Sequence, residues 1–280
     1  MTSKKKKHMI RKKKIKKYNS GRIDLRKGVF LAFQVLLILI MAFSLWKIRE
    51  ILLDQSKSND FSRELQEFVI LTDIKDVDTE TKARQIALPP EENAVPQAVD
   101  FNSLYEISRD AAAWLYAPNG DINYVVAQAE DNDYYLHHLL DGTAANSGTL
   151  FIDCHNSSDF SDWNTVIYGH NMKNGTMFAS LLEYRNPAYY EAHPIMYLYT
   201  PENRYKIELI AGFTTSTEDI IYQFPSSKQN RDKILQHAYH SSSFISGITV
   251  EAEDKLVTLS TCSYTSDNSR YVVIGRLIKE

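Results

Sequence analysis

The sequence predicts a mainly β domain: an eight-stranded closed barrel with helices ahead of it and one helix in the long loop before the last strands. Three observations carry this. Beyond Trp114 the chain turns to eight short runs rich in β-branched and aromatic residues, separated by turn formers. Asn119-Gly120 and Asp141-Gly142 are turn dipeptides between such runs. The connection between the sixth and seventh runs is about forty residues long and carries a helical pattern of its own, which a plain turn does not need.

The runs are 114–117, 124–127, 149–153, 165–168, 196–200, 205–214, 255–261 and 271–278. Strands at this spacing leave no free edge when the sheet closes on itself. Ahead of them, Asn102 or Ser103 is placed to cap a helix running through Leu104 and Ile107 to Ala113. A helical stretch over 177–184 follows Thr176 as its cap, and another over 228–239 lies in the long loop. An insertion with its own helix is often a substrate-facing element.

The N-terminal region divides sharply from the rest. Residues 1–27 carry thirteen Lys or Arg against Asp24 alone, a net of +12 in a chain of -3, which leaves -15 for 28–280. A basic run by itself suits a nucleic-acid arm, but its neighbour argues against that partner. Residues 28–46 are nineteen in a row without a formal charge, long enough at about 1.5 Å per residue to cross most of the hydrocarbon core. A cleaved secretory signal is the rival, yet its apolar region is about 7–15 residues long and ends at small residues. Here Trp46-Lys47-Ile48-Arg49 follow.

The expected organisation is a basic cytoplasmic tail over 1–27, a transmembrane anchor over 28–46, an extracytoplasmic helix and linker over 47–100, and a catalytic domain over 101–280. Within the third segment, apolar residues keep helical spacing to Leu71, and 72–100 is an acidic tether rich in Thr and Pro. The protein is thus expected in the cell membrane, single-pass, with its N-terminus inside by the positive-inside rule.

The chemistry concentrates at two strand ends. The run Lys255-Leu256-Val257-Thr258-Leu259-Ser260-Thr261 ends at Cys262, a thiol that is positioned yet reachable. Eight residues later Arg270 opens the next strand, so a hairpin brings a fixed cation close to the sulfur. Arginine suits an oxyanion because its guanidinium stays charged and offers several donors in fixed geometry. A thiol nucleophile also needs a proton partner. The run Asn164 to Tyr168 ends in Gly169-His170, with glycine permitting close approach.

These residues resemble the sortases, and within them class B. Thr258-Leu259-Ser260-Thr261-Cys262 is similar to the family's cysteine motif, Arg270 falls at its arginine position, and Asn164 to Met172 (NTVIYGHNM) is similar to its histidine motif. Asp131 to Leu136 (DNDYYL) and the helix-bearing insertion also resemble class B sequence. The resemblance spans about residues 101–280. It implies a membrane-anchored transpeptidase that needs no cofactor and cleaves a C-terminal sorting signal of secreted proteins after Thr. Cys262 would hold the acyl group as a thioester. His170 would protonate the leaving amine and later deprotonate an amine of a peptidoglycan precursor, and Arg270 would stabilise the oxyanion. By the same resemblance Asn132, Leu136, Tyr168, Ser260, Thr261, Ile221 and Tyr222 line the signal-peptide groove. Ser263 departs from relatives that carry an acidic residue after the cysteine.

Plainer readings stand beside these. Cys262 is otherwise a buried thiol or half of a disulfide with Cys154, the only other cysteine. Cys154 is expected in the strand 149–153, where His155 would point to the opposite face, so that the two form no dyad. His137, His138, His155 and His193 lack metal-ligand spacing, and no metal site is expected. Arg270 is otherwise a surface charge or an ion-pair partner of Asp267. Other cell-wall enzymes also combine Cys and His, but L,D-transpeptidases usually show a Ser-His-Gly-Cys type motif and papain-like enzymes place the cysteine at a helix start. A non-catalytic membrane-anchored β-barrel binding protein is the remaining alternative.

Overall fold

A computed structural model describes residues 25–70, 95–118, 121–225, 227–262 and 268–280, with Leu25, Ile70 and Cys262 described through their backbone. The basic tail up to residue 24, the tether over 71–94, the Asn119-Gly120 turn and the segment 263–267 with Ser263 lie outside the described residues. The chain forms two units, Met1–Leu53 and Asp54–Glu280.

The first unit holds most of helix α1, Leu25–Gln66. This helix is long and apolar enough to cross a membrane. It is continuous through the boundary expected between anchor and extracytoplasmic helix, since nothing in Trp46-Lys47-Ile48-Arg49 breaks a helix. Its last turns, from Asp54 on, belong to the second unit, where Leu65 is buried beside Phe101 and Trp114. Residues ahead of Phe101 therefore pack on the barrel. A two-stranded ladder of β1 (Val69–Ile70) and β2 (Ala98–Val99) follows.

Helix α2, Phe101–Ile107, is capped by Asp100, whose carboxylate accepts from the N–H groups of Asn102 and Ser103. The expected cap lay two or three residues further on, and the expected run to Ala113 is overturned: Ala111–Tyr116 is strand β3. Alanine favours helix by itself, but Ala111 and Ala113 are buried in the barrel wall, so tertiary packing decides.

The remaining barrel strands are β4 (Asn123–Ala127), β5 (Leu150–Ile152), β6 (Asn164–Tyr168), β7 (Ile195–Tyr199), β8 (Arg204–Ser216), β9 (Lys255–Cys262) and β10 (Ser269–Lys279). The barrel closes in the order β10-β8-β7-β3-β4-β5-β6-β9. Two of its pairs are parallel, β4 with β5 and β6 with β9. All eight expected strands are present, with ends shifted by up to three residues. Between them stand α3 (Pro187–Ala192) and α4 (Lys228–Ser241). The expected helix over 177–184 is instead a 3₁₀ helix, Ala179–Arg185, entered at Phe178 without a side-chain cap, so Thr176 does not cap it.

Strand alternation divides the packing. Leu115, Val126, Ile167, Leu259, Tyr271 and Val273 fill one core. Ile210, Val272 and Ile274 face the other way, against Ile234 and Ala238 of α4. Burying each large aliphatic side chain contributes about 1.5–3 kcal/mol.

Candidate active site

The parallel β6–β9 pair positions the candidate site. Its register runs from Asn164 opposite Leu256 to Tyr168 opposite Ser260, and the Gly169 N–H continues it onto the Ser260 carbonyl at 3.1 Å. Parallel strands finish at the same end of a sheet, so His170 and Cys262, each two residues past the last register pair, lie at one rim. Across β9, Arg270 is the register partner of Cys262. Buried Asn164 secures the arrangement from below, accepting from Thr258 Oγ at 2.8 Å and donating to the Ile221 carbonyl at 3.2 Å.

Gly169 is required by space. A Cβ there would stand 2.3 Å from Leu150 Cδ2 and 2.7 Å from Phe178 Cδ2. His170, the next residue, donates from Nε2 to the Leu136 carbonyl at 2.8 Å. A carbonyl only accepts, so Nε2 carries a proton and Nδ1 is left to exchange one. The Arg270 guanidinium is half-buried and donates to the Ser269 carbonyl at 3.3 Å.

A cleft of about 240 Å³ opens at this rim, lined by Asn132, Leu136, Tyr168, His170, Ser260, Thr261, Tyr222 and Arg270, with Phe151, Gly169 and Thr217. Most of the groove residues expected from sequence are thus brought together. Ile221, expected in the groove, does not reach it: it is fully buried with Ile234 and Ala238 of α4, while its neighbour Tyr222 turns into the cleft. Successive residues of a short 3₁₀ turn point in different directions, and sequence alone does not say which faces the groove. Phe151 and Thr217 were not anticipated, because neither sits in a motif.

The cleft wall is a connected polar network. Tyr222 and Ser260 share a hydrogen bond of 2.8 Å, and the Tyr222 and Tyr168 rings stack with centroids 6.2 Å apart. Tyr168 donates to Asp153 Oδ2 at 2.9 Å. Burial pushes the Tyr168 hydroxyl well above its ordinary range and the Asp153 charge adds to this, so it stays a donor. Burial pulls the Asp153 carboxyl up, but hydrogen bonds from His155, Tyr168 and Asn132 outweigh it and hold the group below the usual carboxylate range. Asn132 also accepts from the Cys154 N–H at 2.8 Å. The Thr261 hydroxyl is buried without a hydrogen-bond partner among the described residues.

Cys154 overturns one expectation. Strand β5 stops at Ile152, so Asp153 and Cys154 enter a turn and strand alternation no longer applies. The Cys154 sulfur lies 3.5 Å from His155 Nδ1. Burial pushes its thiol up and the Asp153 charge pushes the same way, which disfavours a thiolate nucleophile.

Residues 115–278 match the sortase domain family model. The chain belongs to the sortase family. It is similar to sortase B of Listeria monocytogenes, 36% identical over 184 residues that make up 64% of this chain and 74% of that protein. It is also similar to sortase B of Staphylococcus aureus, 26% identical over 249 residues covering 88% and 95% of the two chains. Among solved structures, sortase B from B. anthracis in complex with AAEK1 superposes with a TM-score of 0.67 at 28% identity, covering 82% of this chain and 100% of that one. The molecule is therefore a class B sortase, an enzyme of the cysteine transpeptidase type that acts on sorting-signal substrates.

Proposed function

We propose that this sortase cuts the sorting signal after Thr and passes the acyl group to an amine of a peptidoglycan precursor, with Cys262, His170 and Arg270 as its catalytic residues. The Cys262 thiol passes its proton to His170 Nδ1, the sulfur attacks the Thr carbonyl carbon, and Arg270 donates to the oxyanion that forms. The C–N bond then breaks. His170 gives its proton to the departing amine, leaving a thioester on Cys262. The acceptor amine attacks this thioester, His170 takes the amine's proton, and the Cys262 sulfur departs as the new amide forms.

Asn132, Leu136, Tyr168, Ser260, Thr261 and Tyr222 are the proposed walls for the signal peptide. Helix α1 anchors the enzyme through 28–46, with the basic tail in the cytoplasm and the domain over 101–280 on the outer side.

The observation that carries this reading is the register: β6 ends beside β9, so that His170, two residues past β6, comes to the rim where β9 ends at Cys262, and Arg270 of β10 is the register partner of Cys262. Register partners of an antiparallel pair share a face, which supports a guanidinium beside the sulfur. The test is full-length enzyme in detergent incubated with a fluorogenic sorting-signal peptide library, with and without candidate amines, read by mass spectrometry. Cleavage after Thr, a thioester adduct on Cys262, and loss of both in Cys262→Ala and His170→Ala with retention in Cys154→Ala are expected. A folded enzyme that turns over no peptide, or a Cys262→Ala variant that still cleaves, overturns it.

A further inference from the structure

A second set of reactive side chains lies behind the cleft wall. Asp153, Cys154 and His155 each bring one donor atom, a carboxylate oxygen, a thiol sulfur and an imidazole nitrogen, within 4.8 Å of one another. The individual spacings are 3.5 Å from Cys154 Sγ to His155 Nδ1 and 2.9 Å from that nitrogen to Asp153 Oδ1. In tetrahedral zinc sites, bonds of about 2.3 Å to sulfur and about 2.0–2.1 Å to nitrogen or oxygen place ligand atoms about 3.3–3.6 Å apart. The sulfur–nitrogen edge already has that length. The nitrogen–oxygen edge needs to open by a few tenths of an ångström, which happens when the hydrogen bond between them gives way to the ion.

Several features around the cluster are those of a held ligand set. Asp153 is buried, and its Oδ2 takes the Tyr168 hydroxyl at 2.9 Å, so Oδ1, the oxygen that His155 meets, is the one turned to the cluster. The backbone of Cys154 is fixed by Asn132 at 2.8 Å, and the His155 N–H is fixed on Asp153 Oδ1 at 2.9 Å. Partners of this kind orient metal ligands. His155 is exposed, giving an ion a way in, and the exposed Phe224 ring lies 6.0 Å from it.

We propose that Asp153, Cys154 and His155 form a binding site for a thiophilic divalent cation of the zinc class, with solvent as the fourth ligand. On binding, the thiol proton leaves to solvent and the sulfur joins as thiolate, so no oxidant or reductant is involved. Mixed sulfur, nitrogen and oxygen donors favour zinc over magnesium or calcium. Because Asp153 and the Cys154 backbone also hold Tyr168 and Asn132, an ion here stiffens one wall of the cleft without touching the catalytic rim.

The test uses full-length Cys262→Ala protein in detergent, which removes the other thiol, titrated with Co²⁺ and back-titrated with Zn²⁺. A saturable one-to-one thiolate-to-cobalt charge-transfer band that Zn²⁺ bleaches is expected. Adding Cys154→Ser should abolish the band, and adding His155→Ala or Asp153→Asn should weaken binding by more than about tenfold. Circular dichroism establishes that each variant is folded. No band in the parent, a band that survives Cys154→Ser, or affinity unchanged by both His155→Ala and Asp153→Asn overturns the proposal. Since the parent lacks Cys262, neither result depends on the transpeptidase mechanism.

Discussion

Arg270 stands directly opposite Cys262 in the β9–β10 ladder, and Thr215 of β8 stands opposite it on its other flank. The guanidinium thus springs from a strand paired on both sides, which fixes its origin before any substrate arrives. Arg270→Lys keeps the charge but loses the planar fork of donors. We expect kcat to fall about 10²–10³-fold, the range for loss of one oxyanion donor. Steady-state kinetics on a sorting-signal peptide checks this, and a near-normal kcat would reduce Arg270 to a general electrostatic role.

Tyr222 meets Ser260 through one hydroxyl contact of 2.8 Å, so Tyr222→Phe removes the hydrogen bond and keeps the ring. Stability should drop by about 1 kcal/mol. If this contact shapes the groove, KM should rise several-fold with kcat little changed. A fall in kcat at constant KM would place Tyr222 in the chemistry instead.

Gly169 is pinned between Leu150 and Phe178. Gly169→Ala forces a methyl group into occupied space, at a cost of about 1–3 kcal/mol. Because His170 is the next residue, activity should fall by more than the loss of folded protein explains. Thermal melting and active-site titration separate the two effects. A variant with unchanged melting temperature and activity would mean the rim yields freely.

Asp219 holds the 3₁₀ turn Ile220–Tyr222 from its N-terminal side, accepting from the Ile221 N–H and from Thr215, and meeting His237 of α4 at 2.9 Å. Burial raises its carboxyl, but these hydrogen bonds and the His237 charge outweigh it and hold the group below the usual range. The unfolded value is about 3.9, so the stabilisation is complete above it and lost as pH falls through the lower folded value. Melting temperature should therefore decline more steeply below about pH 4 in the native protein than in Asp219→Asn. Parallel curves would contradict this.

The sequence revealed the barrel because each strand is a short β-branched or aromatic run with its own turn signals, and Val257 or Ile167 has no competing helical context. It revealed the rim because His170 and Cys262 each follow such a run. It misjudged Ala111 to Ala113, where packing overrides an intrinsic preference for helix. It misjudged Cys154 because β5 ends earlier than its composition suggests, and a shift of one residue reverses which face a side chain takes. Ile221 and Phe151 were unreadable for a related reason: whether an apolar residue fills a core or lines a groove depends on what packs opposite.

The β6–β9 pairing spans distant parts of the chain, as the bond between Asn164 and Thr258 over 94 residues illustrates. Such long-range closures are slow to form, and the chain is synthesised from its N-terminus. The two strands that complete the barrel, β9 and β10, also carry Cys262 and Arg270 and are the last to be made. A nascent or truncated molecule ending before Lys255 lacks both of these proposed catalytic residues, so the order of synthesis keeps such a copy out of the proposed reaction.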